Sequence, residues 1–219
     1  MITTKSFIYS LIYLQYRQQS MNQPHHFNEQ KRDYITVVSG LPRSGTSMLM
    51  KMLEKGDISP YVDNIRVADS DNPEGYYEYD PVKKLKENNL WLSKCKGYSI
   101  KIVSPLIKNI LPGIKYKVIF IDRDIKEILA SQNKMLLNRG EVSEIDDETM
   151  AAYYSSHLIQ IKNWLDSQHN IELLYVNYNE TLQEPLSTSK LLSEFLDISI
   201  ELDLISSVVR TNLYRNRRN

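Results

Sequence analysis

The chain has 219 residues, equal numbers (27 each) of basic and acidic side chains, and a single cysteine. This length fits one domain with a sizeable core. The balanced charge excludes a generally basic surface for nucleic acid, and the lone Cys95 excludes an internal disulfide and a cysteine-rich metal site. A thiol without a partner favours a reducing compartment, so we predict a cytoplasmic protein.

The first 33 residues predict little regular structure. An apolar run, FIYSLIYLQY, covers only positions 7–16, whereas a membrane-spanning helix needs about 20 residues. The chain from Gln18 to Asp33 is polar throughout. We therefore predict a flexible arm at 1–33 and a folded domain at 34–219, without membrane contact. An amphipathic arm that touches a membrane is the alternative.

Residues 34–53, YITVVSGLPRSGTSMLMKML, predict a strand, a turn and a helix in that order. The first part is apolar and β-branched without alternation, which is typical of a strand buried on both faces. After the turn at 40–47, apolar residues recur at helical spacing. Gly40 and Gly45 permit left-handed backbone angles, and the start of a helix offers free N–H groups. The segment therefore predicts a phosphate-binding loop.

This loop departs from the common nucleoside-triphosphate loop. The glycine spacing of G-x-x-x-x-G-K-[ST] is kept, but Thr46 occupies the lysine position. The cation is Arg43, inside the loop. Such a loop can cradle one phosphate with its backbone but lacks the lysine that reaches a γ-phosphate. We predict that phosphate is bound by Arg43, Ser44, Gly45, Thr46 and Ser47.

A long polar segment at 61–80 follows the first helix. Loops of this length within a compact domain are usually functional or disordered. This one leaves the sheet edge beside the phosphate loop, so we predict that it faces the substrate. Tyr76, Tyr77 and Tyr79 would give it aromatic walls.

The remaining pattern alternates strands and helices. Strands are predicted at 98–105, 117–122 and 171–178, and helices at 81–94, 126–138, from Asp146 or Asp147 to about Ser167, and at 186–196. This order predicts a single-domain α/β fold of the P-loop type, a three-layer sandwich with a central parallel sheet flanked by helices. Ligands of such sheets bind at the carboxyl ends of the strands, where the loop 40–47, Lys101 with Ser104, Arg123 and Tyr178 should converge.

Three stretches resemble the sulfotransferases that use 3′-phosphoadenosine 5′-phosphosulfate (PAPS). PRSGTS at 42–47 resembles their 5′-phosphosulfate loop. RDIKEILAS resembles their 3′-phosphate segment, and the resemblance assigns that phosphate to Arg123 and Ser131. YNETLQEP resembles the segment in which a tyrosine, here Tyr178, lies by the adenine, with Pro185 seven positions later. The resemblance implies PAPS as the co-substrate.

The transferred sulfuryl group requires cations where negative charge develops on the leaving phosphate. Arg43 suits this role, and Lys101 in the second strand is the predicted second cation. Cytosolic members of the family read Lys-Thr-His-Leu-Pro at that strand and draw a catalytic histidine from it; this chain reads KIVSP, without the histidine. We interpret His157 as a core histidine. The resemblance favours a loop glutamate as general base, and we assign Glu78 over Glu74 because tyrosines flank it.

The predicted function is transfer of a sulfuryl group from PAPS to a hydroxyl of a sugar, a lipid head group or a small alcohol or phenol, without a metal. Two alternatives remain open. One is a P-loop nucleotide or small-molecule kinase, since the apolar strand ending in Asp122 also resembles a magnesium-binding strand. The other is a module that binds a nucleotide without catalysis. The basic tail at 213–219 is predicted either to bind the 3′-phosphate or to be a frayed terminus without a role in binding.

Overall fold

The computed structural model of the chain describes residues 32–63, 65, 66, 69, 72, 75–199 and 201–209. Nearly all of the predicted arm at 1–33 therefore lies outside the described residues. Glu74 and the basic tail at 213–219 lie outside them too. The boundary between arm and domain stays a prediction.

Four parallel strands form the central sheet in the order β2-β1-β3-β4. Their bounds are Ile35–Gly40 (β1), Ser99–Lys101 (β2), Tyr116–Asp122 (β3) and Ile171–Asn177 (β4). Every residue of β1 is buried, as its unbroken apolar pattern predicted. β2 is shorter than predicted, because a 3-10 helix begins at Ser104 with Pro105 in its first turn.

Six α-helices are assigned among the described residues: Thr46–Lys55 (α1), Ile125–Asn138 (α2), Asp147–Asp166 (α3), Tyr178–Gln183 (α4), Pro185–Leu196 (α5) and Leu202–Ser206 (α6). Asp146 caps α3, since its carboxylate accepts from the backbone N–H of Thr149 at 2.8 Å. The short α4 was not predicted, although Asn177 caps it by accepting from two backbone N–H groups.

The helix predicted at 81–94 is wrong. Two 3-10 helices, Asp80–Lys84 and Leu90–Cys95, stand in its place. Between them the side chain of Asn88 accepts from the backbone N–H of Leu90. Such local side-chain bonds compete with a continuous helix.

The sheet separates two apolar clusters. Val37 of β1 and Phe120 of β3 face one cluster with Ile161 of α3, whereas Val38 and Ile119 face the other with α1, α5 and α6. This arrangement confirms the predicted α/β fold with a central parallel sheet flanked by helices. None of the helices in the described ranges is long and apolar enough to cross a membrane.

Candidate functional site

The turn between β1 and α1 has left-handed backbone angles at three positions. The φ angles are 154° at Gly40, 70° at Arg43 and 108° at Gly45. Gly45 is the N-cap of α1 and contributes no side-chain cap, so the first N–H groups of α1 remain available to a ligand. The helix dipole adds positive potential at the same place. The turn therefore has the backbone of an anion-binding loop.

The loop is packed so closely that its glycines have no room for a side chain. A Cβ at Gly45 would lie 2.5 Å from the ring of Tyr178, and one at Gly40 would lie 2.6 Å from the Oγ of Ser44. Ser44 is 1% exposed, and its hydroxyl has no hydrogen-bond partner in the described part of the chain. A buried polar atom without a partner is costly, and an anion held by the loop would satisfy it.

Arg43 joins the loop to α2. Its Nε donates to the Oγ of Ser131 at 3.1 Å. From the end of β3, the Nη1 of Arg123 donates to the backbone carbonyl of Arg43 at 3.0 Å. The pair that the resemblance assigned to one phosphate, Arg123 and Ser131, therefore meets at the phosphate loop.

The guanidinium of Arg123 is held from several sides. Its Nε pairs with Glu127 at 3.1 Å, and both side chains are almost fully buried. Its central carbon lies 4.2 Å from the ring centre of Tyr178, and burial raises the pKa of that phenol. Asn179 donates to the second oxygen of Glu127 at 3.2 Å. Arg123 thus presents a charge in a fixed orientation.

Lys101 and Glu78 lie together at the end of β2. The Nζ of Lys101 donates to the backbone carbonyl of Tyr76 and lies 3.5 Å from Glu78 Oε1, which also pairs with Arg66 at 3.0 Å. The pKa of Lys101 is lowered to about 8, chiefly by burial and also by the charges of Arg66 and Arg43. The attraction of Glu78 acts in the opposite direction and raises it. Arg66 was not predicted as a site residue, because an arginine in an irregular loop carries no sequence pattern.

The tyrosines of the loop do not form the predicted aromatic wall. The hydroxyl of Tyr77 donates to Glu54 of α1 at 2.6 Å. Tyr79 packs edge-on against Tyr61 and Trp91, with ring centres 4.9 Å apart in each pair. These contacts hold Tyr77 and Tyr79 against the body of the domain.

Asn72 connects the loop at 61–80 to the phosphate loop at 40–47. Its side-chain amide donates to the Oγ of Ser47 at 3.2 Å, and that hydroxyl donates to the carbonyl of Tyr76 at 3.4 Å. The predicted proximity of the 61–80 loop to the phosphate loop is therefore present in its described residues.

His157 of α3 is partly buried, and its Nε2 lies 3.0 Å from the Oγ of the fully buried Ser104. We predicted His157 to be a core histidine beside the apolar residues of α3, and no sequence pattern indicated Ser104 as its partner. Only the fold brings together two residues 53 positions apart.

Comparison with known families gives one match over most of the chain: the family model described as "Sulfotransferase domain" matches residues 33–219. No match was found among curated proteins. Among solved structures, sulfotransferase STF9 from Mycobacterium avium is similar with 12% identity and a TM-score of 0.52, covering 95% of this chain and 73% of that one.

Two further structures are less similar. Mouse sulfotransferase SULT7A1, complexed with PAP, has 13% identity and a TM-score of 0.48, covering 86% of this chain and 69% of that one. The sulfotransferase domain from the curacin biosynthetic pathway has 14% identity and a TM-score of 0.48, with 79% and 76% covered. At such identities the similarity to STF9 concerns the fold alone.

Proposed function

The chain belongs to the sulfotransferase domain family, and we propose that it transfers the sulfuryl group of PAPS to a hydroxyl of its acceptor. One observation carries the choice of PAPS: Ser131 and Arg123 both bond to Arg43, at 3.1 and 3.0 Å. These contacts bring the predicted 3′-phosphate residues next to the predicted 5′-phosphosulfate loop, which supports one ligand that carries both groups.

The described residues fit such a ligand. The first-turn N–H groups of α1 and the unpartnered hydroxyl of Ser44 suit the 5′-phosphosulfate, and the turn at Gly45 leaves backbone exposed to it. The residues proposed to hold this end are Arg43, Ser44, Gly45, Thr46 and Ser47. The 3′-phosphate is assigned to Arg123 and Ser131, and the adenine to the neighbourhood of Tyr178.

The site residues have two proposed roles in this reaction: some stabilise negative charge and one accepts a proton. The acceptor oxygen bonds to sulfur while the bond between sulfur and the bridging phosphate oxygen breaks, and its electron pair stays on that oxygen. Arg43 and Lys101 supply positive charge there. Glu78, next to Lys101, takes the proton of the acceptor hydroxyl. Arg66 pairs with the same carboxylate oxygen of Glu78 at 3.0 Å and holds it in place.

The acceptor classes remain a sugar, a lipid head group and a small alcohol or phenol, and the cytoplasmic location stays a prediction.

A kinase would have to bind a triphosphate without the loop lysine, because Thr46 occupies that position. We therefore give priority to the sulfotransferase over the kinase and over a non-catalytic binding module.

Thermal unfolding with ligands tests the proposal. The desulfated product, 3′-phosphoadenosine 5′-phosphate (PAP), should stabilise the protein without metal by about 2.7 kcal/mol at a hundredfold excess over its Kd. ATP with magnesium should stabilise it less, and a larger ATP shift would refute the proposal. Release of PAP from PAPS on addition of acceptors would exclude the binding module.

A further inference from the structure

The first part of α3 extends past the carboxyl edge of the sheet. Lys162 of α3 pairs at 2.7 Å with Asp122, the last residue of β3. α3 then leads to β4, which starts at the opposite edge of the sheet, so α3 runs from the carboxyl edge towards that opposite edge. At 1.5 Å per residue, His157 is about 7 Å further along the helix axis, on the side of the phosphate loop.

His157 lies on the inward stripe of α3. Ile161, four positions later, is buried in the core, and Tyr154, three positions earlier, donates its hydroxyl to Gln132 at 2.9 Å. Gln132 follows Ser131, the partner of Arg43. The stripe of α3 that carries His157 therefore contacts α2, the helix that carries Ser131.

The partner of His157 comes from the strand that carries Lys101. Ser104 is fully buried three positions after that lysine, and its Oγ lies 3.0 Å from Nε2 of His157. Among the described residues, no hydrogen bond reaches the Nδ1 of His157. Burial and the nearby charge of Lys108 lower the pKa of His157, which favours the neutral imidazole. A neutral ring has one nitrogen left to donate to or accept from a ligand.

We propose that His157, oriented by Ser104, is a binding residue for a second hydroxyl of the acceptor, and that the acceptor is a polyhydroxylated compound such as a sugar. This inference rests on the proposed function. A neutral imidazole hydrogen-bonds a hydroxyl but exerts no net charge on a carboxylate or phosphate. An acceptor with a single hydroxyl would use it for the reaction and would offer no second hydroxyl to the imidazole.

The test uses methyl β-glucopyranoside as the probe, added to the full chain saturated with PAP. The ring nitrogen resonances of His157, assigned by their loss in His157→Ala, should shift on addition of the glycoside and not on addition of phenol. His157→Ala should weaken glycoside binding about tenfold, as expected for the loss of one hydrogen bond. His157→Gln should restore much of it, since an amide also donates and accepts.

The control is His169→Ala, which removes an exposed histidine at the other edge of the sheet. Normal PAP binding with no glycoside binding, or equal glycoside binding by wild type and His157→Ala, would overturn this inference and leave the proposed function standing. Loss of PAP binding in the wild type would instead refute the proposed function. If His157→Gln bound the glycoside no better than His157→Ala, the imidazole would not be acting as a neutral hydrogen-bonding group, and the inference would again fail.

Discussion

The Nε of Arg43 donates to the Oγ of Ser131 at 3.1 Å, although 88 positions separate the two residues. This contact links the turn after β1 to the second turn of α2. Because Arg123 also bonds to the carbonyl of Arg43, the residues proposed for the two ends of PAPS share one arginine. A ligand would meet a site that is already assembled, which lowers the entropic cost of binding.

Arg123 should account for selectivity towards the 3′-phosphate. Replacing it alone would leave the buried Glu127 without its ion pair and destabilise the fold, so the informative variant is Arg123→Gln combined with Glu127→Gln. We expect PAP affinity, measured by calorimetry, to fall by roughly ten- to a hundredfold, the value of a charged hydrogen bond. Adenosine 5′-phosphosulfate, which lacks the 3′-phosphate, should bind nearly as before.

Glu127→Gln alone is the matched control: it also breaks the buried pair and should lower stability, but it keeps Arg123 and should keep most of the PAP affinity. Equal losses for both nucleotides in the double variant would show that Arg123 supports the loop rather than contacting the 3′-phosphate.

Glu78→Gln should lower kcat by about 10²–10⁴-fold, the usual contribution of a general base, with little change in PAP affinity. Glutamine keeps the size of the side chain but cannot take the acceptor's proton. The control is Glu54→Gln, because Glu54 contacts the same loop through Tyr77 but lies outside the pair with Lys101. Retention of most activity by Glu78→Gln would mean that another group, or no group, takes the proton.

Activity should fall as the pH rises through about 8, since burial lowers the pKa of Lys101 to about 8 and the neutral amine cannot stabilise the leaving phosphate. The profile of kcat/KM reports this group in the free enzyme. Lys101→Arg should move the fall to higher pH, because a guanidinium stays charged. A profile that is unchanged in Lys101→Arg would exclude this lysine as the source of the fall.

The lowered pKa of Lys101 also affects stability, and in the opposite direction: activity should fall with rising pH, whereas stability should rise. From the folded pKa of about 8 up to the ordinary value of 10.5, the unfolded chain binds more protons at Lys101 than the folded chain does. This group therefore makes the free energy of unfolding rise with pH over that interval, and Lys101→Met should remove the rise in urea titrations.

Gly45→Ala should abolish PAP binding and destabilise the domain. The φ of 108° is unfavourable for alanine, at a cost of about 1–3 kcal/mol, and the new Cβ would overlap the ring of Tyr178. Gly113→Ala is the control: it has a φ of 79° but nothing within 4 Å of the new Cβ, so only the backbone cost applies. Equal destabilisation of the two variants in thermal unfolding would argue against the close packing at Gly45.

The sequence by itself determined the local parts of this protein. The unbroken apolar run, two glycines and the helical repeat after them specify β1, the left-handed turn and α1, because backbone preferences act over a few residues. The alternation of strands and helices predicted the parallel sheet, which the structure confirms. The motif resemblance also paired Arg123 with Ser131, which spacing could not do, since eight positions exceed two turns of a helix.

Only the tertiary structure decided which distant side chains meet. Ser104 lies next to His157, and Arg66 contacts the carboxylate of Glu78 beside Lys101. Tyr79 packs in an aromatic cluster with Tyr61 instead of lining a cleft. The tertiary structure also divided the segment at 81–94 into two short 3-10 helices. Such contacts depend on the path of the whole chain and on competition for burial, and neither is encoded in the periodicity of one segment.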